Sequence, residues 1–461
     1  MCRENLLDRF APLRSSEERN GMDILLAVVI FLCGNFLCMA MNWSLAIGLA
    51  FGLVCFSVTG YHRVHSWRSV AAMIGTGVRT ALVVLRVLLV IGCLTALWRA
   101  SGTIAFFVYT GLKLITPNVF LLAAFLLSTV LSITFGSAFG VAGTAGVILA
   151  VIARSGGADL AMTAGAVLSG AYLGERLSPA ASSVTLTTAL AKTDQNLFQR
   201  RMWRTTPIPL IIVLALYGVL SVLFPIQHVD PTILTALEEA FNLSWLTVLP
   251  APILLILPFF HFSAPKSILI SCAAAAILAV NLQEVSWTEL LKICILGCSI
   301  DHPVLAPILS GGGVISMLNG MCIVLFSCAS SGILNGAKLL DPVKVRLEQF
   351  VERTDLRFVT MLVSIAASAL LCNQSIALVM TDQMMGDSYQ RRGEGGIELA
   401  QALGNMTISL PALIPWSIAA SVPLTAMDAP VLAIPFAFFI YLCPLCDWFF
   451  HRRVSVPKTV K

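Results

Sequence analysis

Long apolar runs with almost no charge recur along the whole chain. Several approach about 20 residues, the length that an α-helix needs to cross the hydrocarbon core of a bilayer. Charged residues make up 11% of the sequence and hydrophobic residues 58%, whereas soluble domains have about 25% charged residues. This balance excludes a soluble enzyme, a disordered protein and a nucleic-acid binder. Because the runs show no period-2 alternation, they predict helices and not the strands of a membrane barrel.

The runs predict an all-α polytopic membrane protein with about 10–14 crossings. The predicted crossings lie at 22–41, 44–60, 81–98, 119–135, 141–153, 160–190 and 205–224, and then at 246–262, 266–281, 313–333, 358–372, 374–388, 397–426 and 429–450. Several are short or contain Gly, Pro and polar residues, which leaves the number of crossings open. Two stretches between crossings, 61–79 and 334–357, have the pattern of amphipathic connections outside the bilayer core.

Basic residues predict the orientation of the chain, because Lys and Arg collect in cytoplasmic loops. They are concentrated in the two amphipathic connections, in the tail and around Arg200–Arg204, whereas 226–245 carries acidic residues and no Lys or Arg. We therefore expect a cytoplasmic segment, a first repeat, an extracytoplasmic link, a second repeat and a cytoplasmic tail. Their bounds are 1–21, 22–225, 226–245, 246–450 and 451–461. Residues 1–21 are polar, so we expect no cleavable signal peptide and a multi-pass protein of the cell (inner or plasma) membrane.

Each half contains an odd number of predicted crossings, about seven, so the halves run in opposite directions, as in transporters with inverted repeats. Each half also has its Gly-, Pro- and hydroxyl-rich interruptions in its later part, at 136–146 and 174–188, and at 371–387 and 402–417. Irregular backbone at membrane depth is tolerated only where it is buried in protein or lines a cavity. The pattern predicts two inverted repeats with broken or re-entrant helices.

The segment 136–146 has two interpretations. Its small residues allow close packing between membrane helices. Alternatively, the helix is broken at Gly136 or Gly140, and Ser137 and Thr144 line a cavity at the midplane.

The segment 174–188 places Glu175 and Arg176 between apolar stretches, just before Pro179. One interpretation is a loop near the surface with an ordinary ion pair. The other follows from the cost of an ionisable group at membrane depth, which marks functional sites. In that case Glu175 binds a proton or cation, and Arg176 is its counter-ion or an anion contact. Hydroxyl groups at Ser178, Ser182 and Thr185 follow.

In the second half, Asn373 and Gln374 have the pattern of a helix N-terminus. Asp382 and Asp387 fit a solvated helix end as well as a role in transport. Further on, Asn405 and Ser417 flank two prolines that break the intrahelical hydrogen bonds. These polar groups are expected to supply oxygen and amide contacts to a transported solute.

These motifs resemble those of the NhaC-type sodium/proton antiporter family over most of the chain. The first half has Gly-Ser-x-Phe-Gly-x-x-Gly-Thr-x-Gly at 136–146 and Leu-Ser-Gly-Ala-Tyr-Leu-Gly-Glu-Arg-Leu-Ser-Pro at 168–179. The second half has Asn-Gln-x-x-Ala-x-Val at 373–379 and Leu-Ile-Pro-Trp at 413–416. The resemblance implies an inverted-repeat ion-transporter fold. It also implies sodium/proton exchange, or malate/lactate exchange coupled to both ions.

The chain departs from the family's pattern at several polar positions. Ser182 stands at an acid position, and Asn373 replaces the Asp of an Asp-Gln pair. Gly404-Asn405 replaces a Glu-Asp pair, and Ser417 replaces an Asn. Glu175 corresponds to a family Asp, and the resemblance therefore implies that it retains the titratable group of the site.

We expect a secondary active antiporter that couples a proton or sodium gradient to the exchange of an ion or small solute. An antiporter or symporter of an amino acid or a carboxylic acid such as malate or lactate is an alternative, and so is a degenerate non-transporting protein. We expect no enzyme activity, no cofactor, and no metal other than a transported Na⁺. The bilayer and the transported ion or solute are the expected partners, nucleic acid is not, and a homodimer is left open. The candidate binding residues are Glu175, Arg176, Ser137, Thr144, Ser178, Ser182, Thr185, Asn373, Gln374, Asn405 and Ser417.

Overall fold

A computed structural model of the protein describes residues 7–454 apart from 42, 115–116, 227–230, 261, 263, 338 and 340–353. The first half consists of apolar helices joined by short turns. Its α-helices are α1 (Leu7–Ala40), α2 (Leu45–Val64), α3 (Trp67–Ala100), α4 (Thr103–Leu114), α5 (Phe120–Phe135), α6 (Ala138–Val141), α7 (Val147–Ser155), α8 (Leu160–Leu177), α9 (Ser182–Leu190), α10 (Gln195–Thr205) and α11 (Pro207–Leu223). The π-helical turn Ala142–Gly146 joins α6 to α7, and the 3₁₀ turn Pro117–Val119 precedes α5.

The second half follows after a short helix, α12 (Pro231–Ala240), in the predicted link. Its α-helices are α13 (Pro250–Ile256), α14 (Ala264–Leu282), α15 (Trp287–Leu296), α16 (Ala306–Leu309), α17 (Gly313–Ser316), α18 (Leu318–Gly336), α19 (Leu356–Leu371), α20 (Gln374–Arg391), α21 (Gly396–Ala402), α22 (Ile418–Met427) and α23 (Phe438–Val454). A π-helical turn, Leu403–Thr407, extends α21, and four 3₁₀ turns lie at Trp245–Val248, Leu257–Phe260, Leu410–Leu413 and Val431–Phe436.

Five of the described helices are long and apolar enough to cross a membrane: Leu45–Val64, Trp67–Ala100, Pro117–Phe135, Ala138–Ser155 and Leu318–Gly336. Two further pairs of helices meet the same criterion when each pair is taken together. α10 and α11 are bent by 46°, and Gly396–Leu413 and α22 are bent by 54°. The shorter apolar helices are Leu26–Ala40, Trp245–Leu254, Lys266–Leu282, Leu356–Leu371 and Phe438–Phe450. The predicted all-α membrane architecture with broken helices is confirmed.

The helices in the later parts of the two halves have nearly the same lengths and the same spacing, with no insertion or deletion between them. Adding 236 to the bounds of α5 gives those of α19, Leu356–Leu371, and adding 236 to Ala138–Ser155 gives α20. The same shift takes Leu160–Leu177 onto Gly396–Leu413 and the start of α9 onto the start of α22. A register that holds over four consecutive elements is the pattern of an internal repeat, and it fits the inverted-repeat fold.

Each half has the same helix break at the same place in this register. α5 ends at Gly136, with φ 64°, and α19 ends at Cys372, with φ 55°. Both residues have the left-handed backbone conformation. The next residue caps the following helix. The Ser137 side chain accepts from the backbone N–H of Gly140, and the Asn373 side chain accepts from Ser375 and Ile376. Such caps satisfy the N–H groups that a helix start leaves unpaired.

The predicted connection at 61–79 is a turn between two helices and not a separate segment. Residues 61–64 complete α2, His65 turns the chain with φ 52°, and α3 begins at Trp67. The rings of Tyr61 and Trp67 stack at 4.6 Å across the turn. The basic residues that suggested an amphipathic segment lie at the end of α2 and in the first turns of α3, a helix of 34 residues that is longer than the bilayer core.

The other predicted connection, 334–357, lies mostly outside the described residues, but its last residue, Arg357, is buried inside α19. Within the predicted N-terminal segment, residues 7–21 belong to α1. The predicted tail begins inside α23, and residues 455–461 lie outside the described residues. Membrane helices here therefore extend beyond their apolar cores at both ends of the chain.

The crossing of α3 and α18 supplies a test of this packing. A Cβ atom added at Gly77 would lie 2.0 Å from the carbonyl oxygen of Cys328, whereas one added at Gly75 would meet nothing within 4 Å. We expect Gly77→Ala to destabilise the protein by about 1–3 kcal/mol, because overpacking forces the helices apart. Gly75→Ala is the matched control. Thermal unfolding in detergent measures both, and equal midpoints would contradict the close crossing.

Candidate functional site

Glu175 lies near the end of α8, two residues before the chain leaves the helix. Ser178, with ψ 126°, ends α8, and α9 begins again at Ser182. Pro179 in this gap has no N–H to donate and cannot continue the helical ladder. Pro179 and Ala180 in this gap are exposed, but Glu175 lies in the helix before it and is only 7% exposed, and Arg176 is fully buried. The surface-loop interpretation of Glu175 and Arg176 is therefore wrong.

Three donors hold the Glu175 carboxylate. The backbone N–H of Ala138 donates to Oε2 at 3.0 Å, and the Ser183 hydroxyl donates to Oε1 at 2.7 Å. The Gln374 amide donates to Oε1 at 3.1 Å. Ala138 is the first residue after the break in the first half, and Gln374 is the corresponding residue of the second half. The carboxylate therefore lies where the two breaks meet.

The helix beginning at Ala138 presents its N-terminus to this carboxylate. Ala138–Ser155 is a continuous helical segment of 18 residues, and its aligned peptide dipoles place partial positive charge at Ala138. A negative group is favoured at such a terminus. The first half therefore supplies both the carboxylate and a helix terminus that stabilises it.

Gln374 connects this carboxylate to the broken helix of the second half. Its amide also donates to the carbonyl oxygen of Ile408 at 2.9 Å, in the turn that follows the π-helical segment. Tyr172, one turn before Glu175 on α8, is fully buried and donates to the carbonyl oxygen of Ala419 at 2.7 Å. α8 is thus tied to the second half at two positions in the last two turns before its break.

Arg176 is fully buried but points away from Glu175. Its guanidinium donates to Asn405 and to Thr206, and more weakly to Thr205 at 3.4 Å. The ring of Phe439 lies 5.3 Å from its Cζ. In the described part of the chain Arg176 has no carboxylate partner, so the predicted counter-ion contact with Glu175 is wrong. Successive residues of a helix point in different directions, which separates the two charges.

Asn405 joins Arg176 to a buried ion pair that was not predicted from the sequence. Its side-chain amide donates to Asp447 Oδ1 at 2.7 Å, and Gln401 donates to the same oxygen at 2.9 Å. Arg357 pairs with Asp447 Oδ2 at 3.3 Å, and both side chains are nearly inaccessible. Asn405 lies in the π-helical turn, a feature that is frequent at functional sites. The sequence feature that could have predicted this network is Asp447, an aspartate within the last apolar run.

Four other predicted residues make hydrogen bonds to groups other than the Glu175 carboxylate. Ser137 caps α6, and Ser178 accepts from the backbone of Ala180 at 3.3 Å. The Thr144 hydroxyl donates to the carbonyl oxygen of Gly140 at 2.7 Å. Ser417 caps α22 and donates to the carbonyl oxygen of Cys372 at 3.3 Å, beside Asn373.

Ser182 and Thr185 are exposed, whereas Ser183 is buried against Glu175. The hydroxyl of this cluster that contacts Glu175 is therefore Ser183, which the sequence did not single out, because the gap at 178–181 sets the phase of α9. Residues three or four apart share a helix face, so Ser183 and Thr187 point inward while Ser182 and Thr185 point out.

Asp382 and Asp387 line a polar cavity of about 330 Å³ together with Lys192, Gln383, Gln390 and Glu394. The cavity lies between the end of α9 and the start of α21. Among the described residues no group of three or more His, Cys, Asp and Glu side chains is placed to hold a metal ion.

Two segments, 21–199 and 195–447, match the model of the Na⁺/H⁺ antiporter family. A domain that matches twice in succession fits the internal repeat. The Arginine/ornithine antiporter ArcD of Halobacterium salinarum is 29% identical over 438 residues, 92% of this chain and 88% of the relative. The Malate-2H(+)/Na(+)-lactate antiporter of Bacillus subtilis is 26% identical over 376 residues, 79% of this chain and 80% of the relative. The Na(+)/H(+) antiporter NhaC of Alkalihalophilus pseudofirmus is 24% identical over 424 residues, 89% and 91% of the two chains.

The two adjacent serines of α9 test the geometry of the carboxylate. Ser183→Ala removes a hydrogen bond to a charged group, and we expect a loss of about 1.5–3 kcal/mol of stability. Ser182→Ala, at the exposed neighbour, is expected to stay within about 0.5 kcal/mol of the parent. Thermal unfolding of the two variants in the same detergent makes the comparison. The assignment is contradicted if Ser182→Ala is the more damaging change.

The buried ion pair is tested by comparing it with an exposed one. Asp447→Asn leaves Arg357 without a counter-charge, and we expect it to cost about 3–5 kcal/mol. Glu238→Gln breaks the ion pair with Lys113, in which the Lys113 side chain is 48% exposed and the Glu238 side chain 54%. We expect this change to cost at most about 1 kcal/mol of stability. Unfolding midpoints in detergent measure both. Similar small shifts would mean that the Asp447 network does not stabilise the fold.

Proposed function

Because the chain belongs to the Na⁺/H⁺ antiporter family, we propose that Glu175 is the residue through which it couples a proton or sodium gradient to exchange. The chain is a multi-pass membrane protein and a secondary active transporter of the antiporter class.

The observation that carries the proposal is the position of the Glu175 carboxylate between the two helix breaks. It receives hydrogen bonds from Ala138 of the first half and from Gln374 of the second half. An antiporter needs one site that both halves touch, because their relative movement exposes that site to either side in turn. A buried ionisable group in such a place is the expected binding site of a coupling ion.

In the proposed mechanism, neutralisation of Glu175 weakens the link between the halves. The Gln374 amide holds the carboxylate and the Ile408 carbonyl at the same time. A proton on Glu175, or a Na⁺ bound to it and to the Ser183 oxygen, removes the charge that these donors stabilise. Gln374 then rotates or releases, and the halves rock. Release of the ion on the other side restores the carboxylate and its three donors.

Neutral polar groups beside the breaks are proposed to contact the exchanged solute. Asn373 and Ser417 lie next to each other through Cys372, to whose carbonyl oxygen Ser417 donates. Both stand at positions where the resemblance implies other polar residues. Arg176 is held by the neutral oxygens of Asn405, Thr205 and Thr206, and it is a cation that a substrate carboxylate could contact.

Exchange of an organic solute is the second candidate. Two relatives are named for organic substrates: one exchanges malate and lactate with protons and sodium, and the other exchanges arginine and ornithine. An amino acid or a small carboxylic acid is the corresponding substrate class here. Accumulation of labelled arginine, ornithine, malate or lactate in proteoliposomes preloaded with the unlabelled compound separates this candidate from ion exchange alone.

We also propose that the protein lies in the cell membrane with both termini in the cytoplasm. The basic residues around Arg200–Arg204 and in the tail support this orientation, and the link at 226–245 without Lys or Arg lies on the opposite side. Reporter fusions at each terminus and in the link would distinguish the two orientations.

The test of the proposed function compares two glutamates. Glu175→Gln keeps the size of the side chain but removes its titratable group, and we expect it to abolish exchange driven by pH or sodium gradients. Glu289→Gln, in the exposed first turn of α15, is the control and is expected to transport like the parent. Uptake into proteoliposomes is measured with the two gradients imposed separately.

The outcomes distinguish the candidates. If Glu175→Gln transports with an unchanged dependence on pH and sodium, Glu175 is not the coupling residue. If the parent protein exchanges no tested ion or solute under either gradient, the degenerate non-transporting alternative is favoured.

A further inference from the structure

A groove lies on the surface where α10, α11 and α23 meet. Its volume is about 210 Å³. The lining residues combine one exposed cation, polar groups and apolar side chains: Arg204, Thr205, Ile208, Pro209, Gln401, Cys446, Asp447 and Phe450. We call it the Arg204 groove. The transport mechanism proposed above makes no use of it.

The bend between α10 and α11 places Arg204 at the boundary of the apolar region. α10 is amphipathic and carries Arg200, Arg201 and Arg204, and after the 46° bend α11 is apolar. Ile208 on α11 is 43% exposed and Phe450 on α23 is 42% exposed. Exposed apolar side chains on a membrane helix face lipid tails, so Arg204 lies at the level of the head groups.

The charges in the groove favour an anionic occupant. Arg201, on the same helix, is paired with Glu398 at 3.3 Å. Within the described residues, Arg204 has no ion-pair partner. Asp447, the acid of the groove, is already matched by Arg357 at 3.3 Å and by two amide donors. The Arg204 guanidinium is therefore the unmatched charge at the surface of the groove.

We infer that the Arg204 groove binds the phosphate group of an anionic phospholipid, with an acyl chain along Ile208, Pro209 and Phe450. The guanidinium would donate charge-assisted hydrogen bonds to the phosphodiester oxygens. Basic pockets between membrane helices at the head-group level are suited to acidic lipids. Apolar lining directly below the cation favours a lipid over free phosphate, since free phosphate has no apolar part to bury.

The groove is continuous with the network around Arg176. Thr205 lines the groove, and its hydroxyl donates to Asn405 at 3.2 Å. Asn405 in turn binds Asp447 and Arg176, the neighbour of Glu175. A lipid in the groove would therefore hold the α10–α11 bend against the π-helical turn of the second half. Its binding would stabilise the folded protein and the packing of the two halves.

Thermal unfolding of the purified chain in detergent tests this inference. We expect added phosphatidylglycerol to raise the unfolding temperature of the parent, because a ligand that binds only the folded state stabilises it. Phosphatidylcholine and inorganic phosphate at the same concentration are expected to have little effect. Arg204→Gln should bind phosphatidylglycerol about fivefold more weakly, the factor that corresponds to about 1 kcal/mol for one basic residue near a lipid surface.

Matched variants keep the test specific. Arg200→Gln removes an exposed arginine one turn away on the same helix, outside the groove, and is expected to respond like the parent. Arg204→Lys should retain most of the response. If Arg204→Gln fails to purify in a folded form, Ile208→Ser is the second variant, and it should also weaken the response because it removes apolar lining.

Three results would overturn the inference. Equal stabilisation by inorganic phosphate would mean a phosphate site and not a lipid site. Equal stabilisation by phosphatidylcholine would mean that the head-group charge is not recognised. An equal loss of response in Arg200→Gln and Arg204→Gln would mean attraction by the whole basic helix and not binding in the groove.

Discussion

Within a bilayer, each backbone N–H and C=O group needs a partner inside the protein, and this constraint shapes the centre of the molecule. The breaks at Gly136 and Cys372 interrupt two helices and leave the N–H groups of the next helix starts without helical partners. Ser137 and Asn373 satisfy some of them, and Glu175 accepts from Ala138. The same free N–H groups that make a break costly therefore provide a place for a buried carboxylate.

The later parts of the two halves share the same order of helices and breaks, but equivalent positions carry different side chains. In the common register Glu175 corresponds to Pro411, and Gln374 corresponds to Ala138. One half therefore contributes the acid and the backbone donor, and the other contributes the side-chain amide that holds the acid. A repeat makes two similar breaks meet, and the substitutions at equivalent positions make the resulting site asymmetric. This asymmetry is consistent with one coupling carboxylate between two moving halves.

Much of this arrangement could be predicted from the sequence, because its signals are local. Glu175 stands out as an acid between apolar stretches, and Asn373-Gln374 has the pattern of a helix start. The predicted crossing at 374–388 compares with α20 at Gln374–Arg391, and that at 205–224 with α11 at Pro207–Leu223. The break in each half was visible as a Gly-, Pro- and hydroxyl-rich segment in its later part.

The side-chain contacts of the site could not be predicted from the sequence, because they join elements that are distant along the chain. Ser183 and Ser182 differ only in helix phase, which the gap after α8 decides. Arg357 looked like a cytoplasmic charge because its acidic partner, Asp447, lies 90 residues later in the chain. The opposite directions of Glu175 and Arg176 follow from helix geometry, but their partners Gln374 and Asn405 come from the other half. Such pairings are set by the tertiary fold.

The central claim is that Glu175 takes up and releases the coupling ion between the two breaks. Infrared difference spectroscopy of the protein in lipid, recorded while pH or sodium concentration is stepped, detects a change in a single carboxyl group directly. The account predicts a carboxyl band that changes with proton or sodium binding in the parent and is missing in Glu175→Gln. The same band, unchanged in Glu175→Gln, would contradict it.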